Sequence, residues 1–154
     1  RGKPIILSTG LSTLQDIIDS VNYLQKQNPI YKSPDYLAIL QCTSLYPNQA
    51  KDVHLNVIKT LKEHFDYPIG YSDHTNDIKI PLYAVAAGAQ VIEKHYKISN
   101  EMDCVDSSVS ITEDQMKKMV SEIRHLEKAF GNGKLGISDA EKGTLIFRRK
   151  IKDS

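Results

Sequence analysis

Residues 68–75 read PIGYSDHT and residues 90–96 read QVIEKHY, and in each segment a short apolar run typical of a β-strand ends at a histidine. Two earlier segments, PIILS at 4–8 and YLAILQ at 36–41, have the same apolar character. Continuous apolar runs of this length are typical of strands buried on both faces of a parallel sheet. The sequence therefore predicts strands that start near residues 4, 36, 68 and 90.

A segment with helical periodicity follows each predicted strand. These segments cover residues 12–27, 52–65, 77–89 and 112–130. Ser12 and Gln15 predict a capping box at the first helix. Thr112 predicts the N-cap of the longest helix, and Pro81 suits the first turn of the third. The resulting order, with strands and helices in strict alternation, predicts an α/β fold.

Two architectures have four such β-α units: an open doubly wound sheet and half of a (β/α)8 TIM barrel. No GxGxxG follows the first strand, which disfavours a nucleotide-binding Rossmann unit. The chain has 154 residues and opens RGKPIILSTG, with no Met and with a buried-type strand almost at once. A complete barrel typically has roughly 250 residues. We therefore expect a fragment, the second half of a TIM barrel with four parallel β-α units.

Composition excludes several classes of protein. Hydrophobic residues make up 40% and charged residues 25%, with a net charge of +1. This charge gives no general attraction to nucleic acid or to an anionic membrane. No apolar run approaches the roughly 20 residues of a membrane helix. Cys42 and Cys104 form no CxxC pair, which indicates free thiols in the reducing cytoplasm rather than a disulfide framework.

Polar residues cluster just after the predicted strands, where α/β proteins bind ligands. Hydroxyls at several strand ends can bind one phosphate or carboxylate. Two neutral imidazoles can share Mn²⁺, Fe²⁺ or Zn²⁺, and such an ion can polarise a carbonyl. The alternative for each histidine is a buried ring bonded to backbone carbonyls. His54, His64 and His125 have charged neighbours on predicted helices and are interpreted as surface residues. The strand-end residues are Ser8 and Thr9 after the first strand, Thr43, Ser44 and Tyr46 after the second, Ser72, Asp73, His74 and Thr75 after the third, and Glu93, Lys94, His95 and Tyr96 after the fourth.

The segments KPIILSTGLSTLQDI, LQCTSLYPNQAKDVHLNVI, PIGYSDHT and GAQVIEKHY together resemble the bacterial sialic acid synthase family, which includes the N-acetylneuraminate, pseudaminic and legionaminic acid synthases. The resemblance runs from about residue 3 to residue 130. It implies that residues 1–132 are the C-terminal half of the family's barrel domain. Residues 133–154 would be a linker toward a missing antifreeze-like (SAF) domain.

This resemblance implies a cytoplasmic enzyme that condenses phosphoenolpyruvate with an N-acetylated amino sugar, with loss of phosphate. His74 and His95 match the two protein ligands of a catalytic Mn²⁺. Ser8 and Ser72 match hydroxyls that bind phosphoenolpyruvate, as does Ser44, which stands where sialic acid synthases often have Asn. Tyr46 and Asp106 match positions of the acceptor-sugar site. The proton-handling Glu and the phosphate-binding Lys would lie in the absent half, and the family forms homodimers.

The loop after the fourth strand differs from the N-acetylneuraminate type. That type carries a GPDH-like stretch, whereas residues 101–111 here read EMDCVDSSVSI. VDSSVS is closer to the VDSAFS of pseudaminic-type and spore-coat-type members. The loop therefore predicts that N-acetylmannosamine or a 6-deoxy diacetamido analogue is the acceptor, and favours the 6-deoxy sugar.

Two other hypotheses stay open. The chain could be a non-catalytic half-barrel or subunit that needs a partner to complete the site. It could also be a different barrel aldolase with Lys94 as a Schiff-base lysine. Strand alternation would point Lys94 away from Glu93 and His95, which disfavours the aldolase.

Overall fold

Four apolar segments form one curled parallel sheet in the order β1-β2-β3-β4, in a computed structural model that describes residues 2–149. All three neighbouring pairs are parallel. The predicted strands are confirmed to within one residue at each end. The strands are β1 (Ile5–Ser8), β2 (Leu37–Cys42), β3 (Ile69–Asp73) and β4 (Val91–Lys94).

An α-helix follows every strand, so the predicted α/β fold with four parallel β-α units is confirmed. The helices are α1 (Leu14–Gln27), α2 (Val57–His64), α3 (Lys79–Ala86) and α4 (Glu113–Phe130). Short 3₁₀ helices cover Pro29–Lys32, Ala50–Asp52 and Asp139–Phe147. Pro81 lies in the first turn of α3, as expected for a residue that has no N–H to donate.

The start of α1 corrects one prediction. The capping box consists of Thr13 and Asp16, not of Ser12 and Gln15. The Thr13 N–H donates to Asp16 Oδ2 at 2.8 Å, and the Asp16 N–H donates to Thr13 Oγ1 at 3.3 Å. A capping box joins the residue before the helix to the third residue of the helix. Because the helix begins at Leu14, these residues are Thr13 and Asp16.

The second helix begins later than predicted, and one residue explains the difference. His54 has φ of +48°, in the left-handed region that α-helices exclude. The predicted helix over 52–65 is therefore shortened to Val57–His64, after a 3₁₀ turn at Ala50–Asp52. His54 lies in an exposed turn rather than on a helix, while His64 and His125 lie on helices and are exposed as predicted.

Side chains alternate between the two faces of the sheet. The outer face packs on the helices and forms the main apolar core with Ile39, Ile69 and Tyr71, each 0% exposed. We call the opposite side the inner face; strand alternation and register give its members. They are Ile6, Ser8, Ala38, Leu40, Cys42, Gly70, Ser72, Val91 and Glu93, continued past the strand ends by His74 and His95.

The inner face is tightly packed at its centre. A Cβ atom at Gly70 would lie 2.4 Å from both Leu40 Cδ2 and the Val91 carbonyl oxygen. Glycine at this position therefore lets β2, β3 and β4 approach closely beneath the strand ends.

Residues 133–149 are exposed. The predicted linker over 133–154 stays a prediction, and residues 150–154 lie outside the described part. Within residues 2–149, none of the helices has the length and apolar character needed to cross a bilayer.

β1 and β4 are the edge strands of the sheet. Among the described residues each pairs with only one neighbour, β1 with β2 and β4 with β3, so each has one free edge. Ile6 on β1 is 56% exposed. Beside β4 lies a groove of about 800 Å³ lined by Ile92, Met119 and Phe130, among others. Open edges and exposed apolar surface favour association with other chains.

Residues 1–154 expressed alone are therefore expected to be dimeric, aggregated or molten. Sedimentation velocity and thermal unfolding test this. A sharp monomer peak with a cooperative unfolding transition would contradict it.

Candidate active site

Two imidazole rings meet at the carboxyl ends of β3 and β4. Asp73 and Lys94 are register partners, so His74 and His95, which follow them, stand side by side. Their ring centroids are 5.1 Å apart. His74 is buried, with 4% of its surface exposed, whereas the His95 side chain is 31% exposed. One ring is thus held inside the fold and the other is open to a ligand.

Tyr46, in the loop after β2, covers both imidazoles. Its ring centroid lies 4.2 Å from that of His74 and 5.8 Å from that of His95. The loop is tied to this position because the Asn48 N–H donates to the His74 carbonyl oxygen at 2.8 Å. Tyr46 is 50% exposed, so its ring presents a surface to the space above the histidines.

Asp106 approaches the site from the loop between β4 and α4. Its Oδ2 lies 3.7 Å from His95 Nδ1, and its side chain is 46% exposed. A turn holds it, in which Ser110 Oγ donates to the Asp106 carbonyl oxygen at 2.7 Å. Asp106 therefore combines a structural turn with a carboxylate at the rim of the site.

Ser72 lies one layer below the histidines on the inner face and is 2% exposed. Its hydroxyl donates to Glu93 Oε1 at 2.7 Å. Cys42 lies in the same layer, with Sγ 3.8 Å from His74 Nδ1. No role for Glu93 or Cys42 was predicted from the sequence. Counting back two residues from each histidine would have placed Ser72 and Glu93 on the same face.

Ser8 lies farther from the histidines than Ser72 does, because β2 separates its strand from β3. Ser8 ends β1 on the inner face, opposite Leu40 of β2, and is exposed. Two strand spacings of about 4.8 Å separate β1 from β3, so Ser8 is on the order of 10 Å from Ser72. Ser44 is also exposed and lies against Gly10, where an added Cβ would be 2.1 Å from Ser44 Oγ. The same added Cβ would be 3.3 Å from Cys42 Sγ, so Ser44 lies beside the layer that contains Cys42 and Ser72.

The surroundings of His74 favour its neutral form. Burial lowers the pKa of His74 below its ordinary value, and the neighbouring His95 lowers it further. Burial raises the pKa of the Cys42 thiol. At neutral pH the site therefore presents an uncharged His74 imidazole, the form that binds metal ions, beside a protonated thiol.

The two rings fit a metal site with open positions. Metal–imidazole nitrogen distances are about 2.1 Å, which two rings with centroids 5.1 Å apart can both reach. Within residues 2–149, His, Cys, Asp and Glu side chains form no cluster of three or more suited to a metal ion. A cation here would therefore complete its shell with oxygens from water, from substrate or from other parts of the protein.

Lys94 lies on the other side of the sheet from this site. Its side chain is 1% exposed, and its Nζ is 2.8 Å from Asp73 Oδ2. Lys94 thus points away from Glu93 and His95, as strand alternation predicted. A lysine buried in an ion pair behind the site is poorly placed to attack a carbonyl above the inner face.

Comparison with known proteins gives the family. The sequence pattern of the NeuB family matches residues 1–135. Over 149 residues the chain is 37% identical to a pseudaminic acid synthase of Campylobacter jejuni, covering 97% of this chain and 42% of the relative. An N,N'-diacetyllegionaminic acid synthase of Legionella pneumophila is 39% identical over 90% of this chain and 38% of its own.

A solved structure agrees with these sequence relatives. The N-acetylneuraminic acid (sialic acid) synthetase of Leptospira borgpetersenii, in complex with citrate, superimposes with a TM-score of 0.83 at 37% identity. The match covers 96% of this chain and 50% of that one. The chain therefore spans half or less of the length of these relatives. With the family pattern matched over 135 of its residues, the chain belongs to the NeuB family.

Proposed function

We propose that this chain supplies the metal-bearing half of an enzyme that makes a sialic-type (nonulosonic) acid. The substrates are phosphoenolpyruvate and an N-acetylated amino sugar, and the second product is phosphate. The observation that carries the proposal is the pair of imidazoles 5.1 Å apart on the inner face. Family membership and the names of the relatives support the chemistry.

The architecture proposed is a (β/α)8 barrel, of which residues 1–132 form the second half and residues 133–154 lead toward an antifreeze-like domain. The complete enzyme, by which we mean this chain together with the parts of the relatives that it does not cover, is proposed to act as a cytoplasmic homodimer. The chain alone is proposed to be inactive. The 42% share of the Campylobacter relative that it covers supports this division.

His74 and His95 are proposed to hold the divalent cation, Mn²⁺ being the expected one. When bound, the ion supplies Lewis-acid polarisation of the sugar aldehyde. His74 is suited to this role because its burial and its neighbour keep the ring neutral. His95 is suited because its partial exposure leaves room for a substrate oxygen beside it.

The remaining site residues are proposed to position the two substrates. The Ser8, Ser44 and Ser72 hydroxyls would bind phosphoenolpyruvate, and Ser72 would exchange its hydrogen bond to Glu93 Oε1 for one to the substrate. Tyr46 and Asp106 would contact the sugar at the rim. In the reaction, C3 of phosphoenolpyruvate forms a bond to the aldehyde carbon, and water adds at C2. Phosphate then leaves with cleavage of its C–O bond, which produces the 2-keto acid.

The metal assignment gives the first prediction for activity. In the complete enzyme, His74→Ala or His95→Ala should lower turnover by more than about 100-fold, above the loss typical of a merely supporting group. EDTA should inactivate the wild type and Mn²⁺ should restore it. His64→Ala, which removes an exposed ring on α2, is the matched control and should keep full activity. Full activity of the His74→Ala variant would contradict the assignment of His74 as a metal ligand.

The position of Asp106 gives the second prediction, which concerns the affinity for the sugar. Its exposed carboxylate can accept hydrogen bonds from sugar hydroxyls, while it would repel the anionic phosphoenolpyruvate. Asp106→Asn should therefore raise KM for the sugar at least several-fold and leave KM for phosphoenolpyruvate nearly unchanged. Steady-state kinetics test this, with Asp114→Asn, which changes an exposed carboxylate on α4, as the control. Equal changes in both KM values would argue against a sugar-binding role.

The loop around Asp106 gives the third prediction, which concerns the identity of the sugar. Val105 is fully exposed and Met102 is 40% exposed, so the rim beside Asp106 includes exposed apolar side chains. Such a rim suits a 6-deoxy diacetamido sugar better than N-acetylmannosamine, whose C6 carries a hydroxyl. Comparing kcat/KM for both sugars should favour the 6-deoxy one. A clear preference for N-acetylmannosamine would show that this loop does not set the choice.

A further inference from the structure

A fully buried ion pair lies directly behind the two histidines. Asp73 and Lys94 are the last residues of β3 and β4, and their side chains are 0% and 1% exposed. Lys94 Nζ is 2.8 Å from Asp73 Oδ2. Both side chains lie on the outer face, so they are separated by the sheet from the space where substrates would bind.

The Asp73 carboxylate is saturated with donors. Tyr71 Oη donates to Oδ1 at 3.0 Å, and the Thr75 N–H donates to the same oxygen at 3.1 Å. Thr75 Oγ1 donates to Oδ2 at 3.0 Å. Lys94 Nζ, besides pairing with Asp73, donates to the Thr75 carbonyl oxygen. We call Asp73, Thr75 and Lys94 the clamp.

The clamp encloses one histidine and adjoins the other. His74 is the residue between Asp73 and Thr75, both of which Lys94 contacts, and His95 follows Lys94 directly. A single ammonium group on β4 therefore contacts the side chain of the residue before His74 and the backbone carbonyl oxygen of the residue after it. Because Lys94 directly precedes His95, these contacts link the two chain segments that carry the rings.

We propose that Asp73 and Lys94 are positioning residues that set the separation of the His74 and His95 rings. This rests on the proposed function, since it gives the two rings a shared ligand. A buried ion pair is often no more stabilising than apolar residues of the same volume, so stability alone is a weak reason for one here. Shared ligation, in contrast, needs both rings held to within about 0.5 Å. The polar clamp provides directional contacts that apolar packing does not.

The test uses the double variant Asp73→Asn/Lys94→Met of the complete enzyme, which removes both charges and roughly keeps the volume. Isothermal titration with Mn²⁺ should show Kd raised about 10- to 100-fold, as for other groups that support metal ligands. The kcat should fall while KM for phosphoenolpyruvate changes little. Glu113→Gln/Lys117→Met removes an exposed ion pair of α4 and should leave Mn²⁺ binding unchanged.

A folded double variant with wild-type Mn²⁺ affinity would overturn the proposal. If that variant does not fold, Lys94→Arg keeps the charge balance, but its larger planar head cannot reproduce the ammonium contacts. Lys94→Arg should still weaken Mn²⁺ binding several-fold, and unchanged binding would overturn the proposal equally.

Measuring Mn²⁺ binding to the His74→Ala variant distinguishes a failure of this proposal from a failure of the function proposed above. If His74→Ala binds Mn²⁺ like the wild type, the metal assignment fails. The clamp is then judged from metal-free crystal structures of the wild type and of whichever clamp variant folds. A displaced His74 or His95 ring would support the clamp, and unchanged ring spacing would refute it.

Discussion

The alternation of side chains along four parallel strands is the constraint on which the rest of the structure depends. One face must bury Ile39, Ile69 and Tyr71 against the helices, and burial of each such side chain contributes about 1.5–3 kcal/mol. The other face is then left for Ser72, Glu93, His74 and His95. A slip of one residue in β3 would expose its core side chains and turn His74 toward the helices. The core therefore determines the orientation of the candidate site.

The same alternation separates two kinds of charged chemistry at adjacent residues. Asp73 and Lys94 satisfy each other on the outer face, where water is excluded. His74 and His95 remain available on the inner face, where Tyr46 and Asp106 come from neighbouring loops to complete the rim. At the strand ends, the polar side chains on the outer face are thus paired with each other, while those on the inner face remain free to bind a ligand. This arrangement suits a site that must hold an ion and still admit two substrates.

Much of this could be predicted from the sequence because the apolar runs are short, distinct and regularly spaced. They placed all four strands to within one residue. The start of α2 could not be predicted, since nothing in DVHLN indicates that His54 takes a left-handed conformation. The cap of α1 was misplaced because Ser12 and Thr13 are both good capping residues. The convergence of His74 and His95 followed from parallel strands, whereas the contacts of Cys42, Glu93 and Lys94 depend on a register that the sequence does not reveal.

We propose that His74 and His95 share one divalent cation. Anomalous diffraction at the manganese absorption edge, from crystals of the complete enzyme grown with Mn²⁺, tests it most directly. We expect a single strong anomalous peak about 2.1 Å from one nitrogen of each ring. A strong peak elsewhere, or none near the two rings at saturating Mn²⁺, would contradict it.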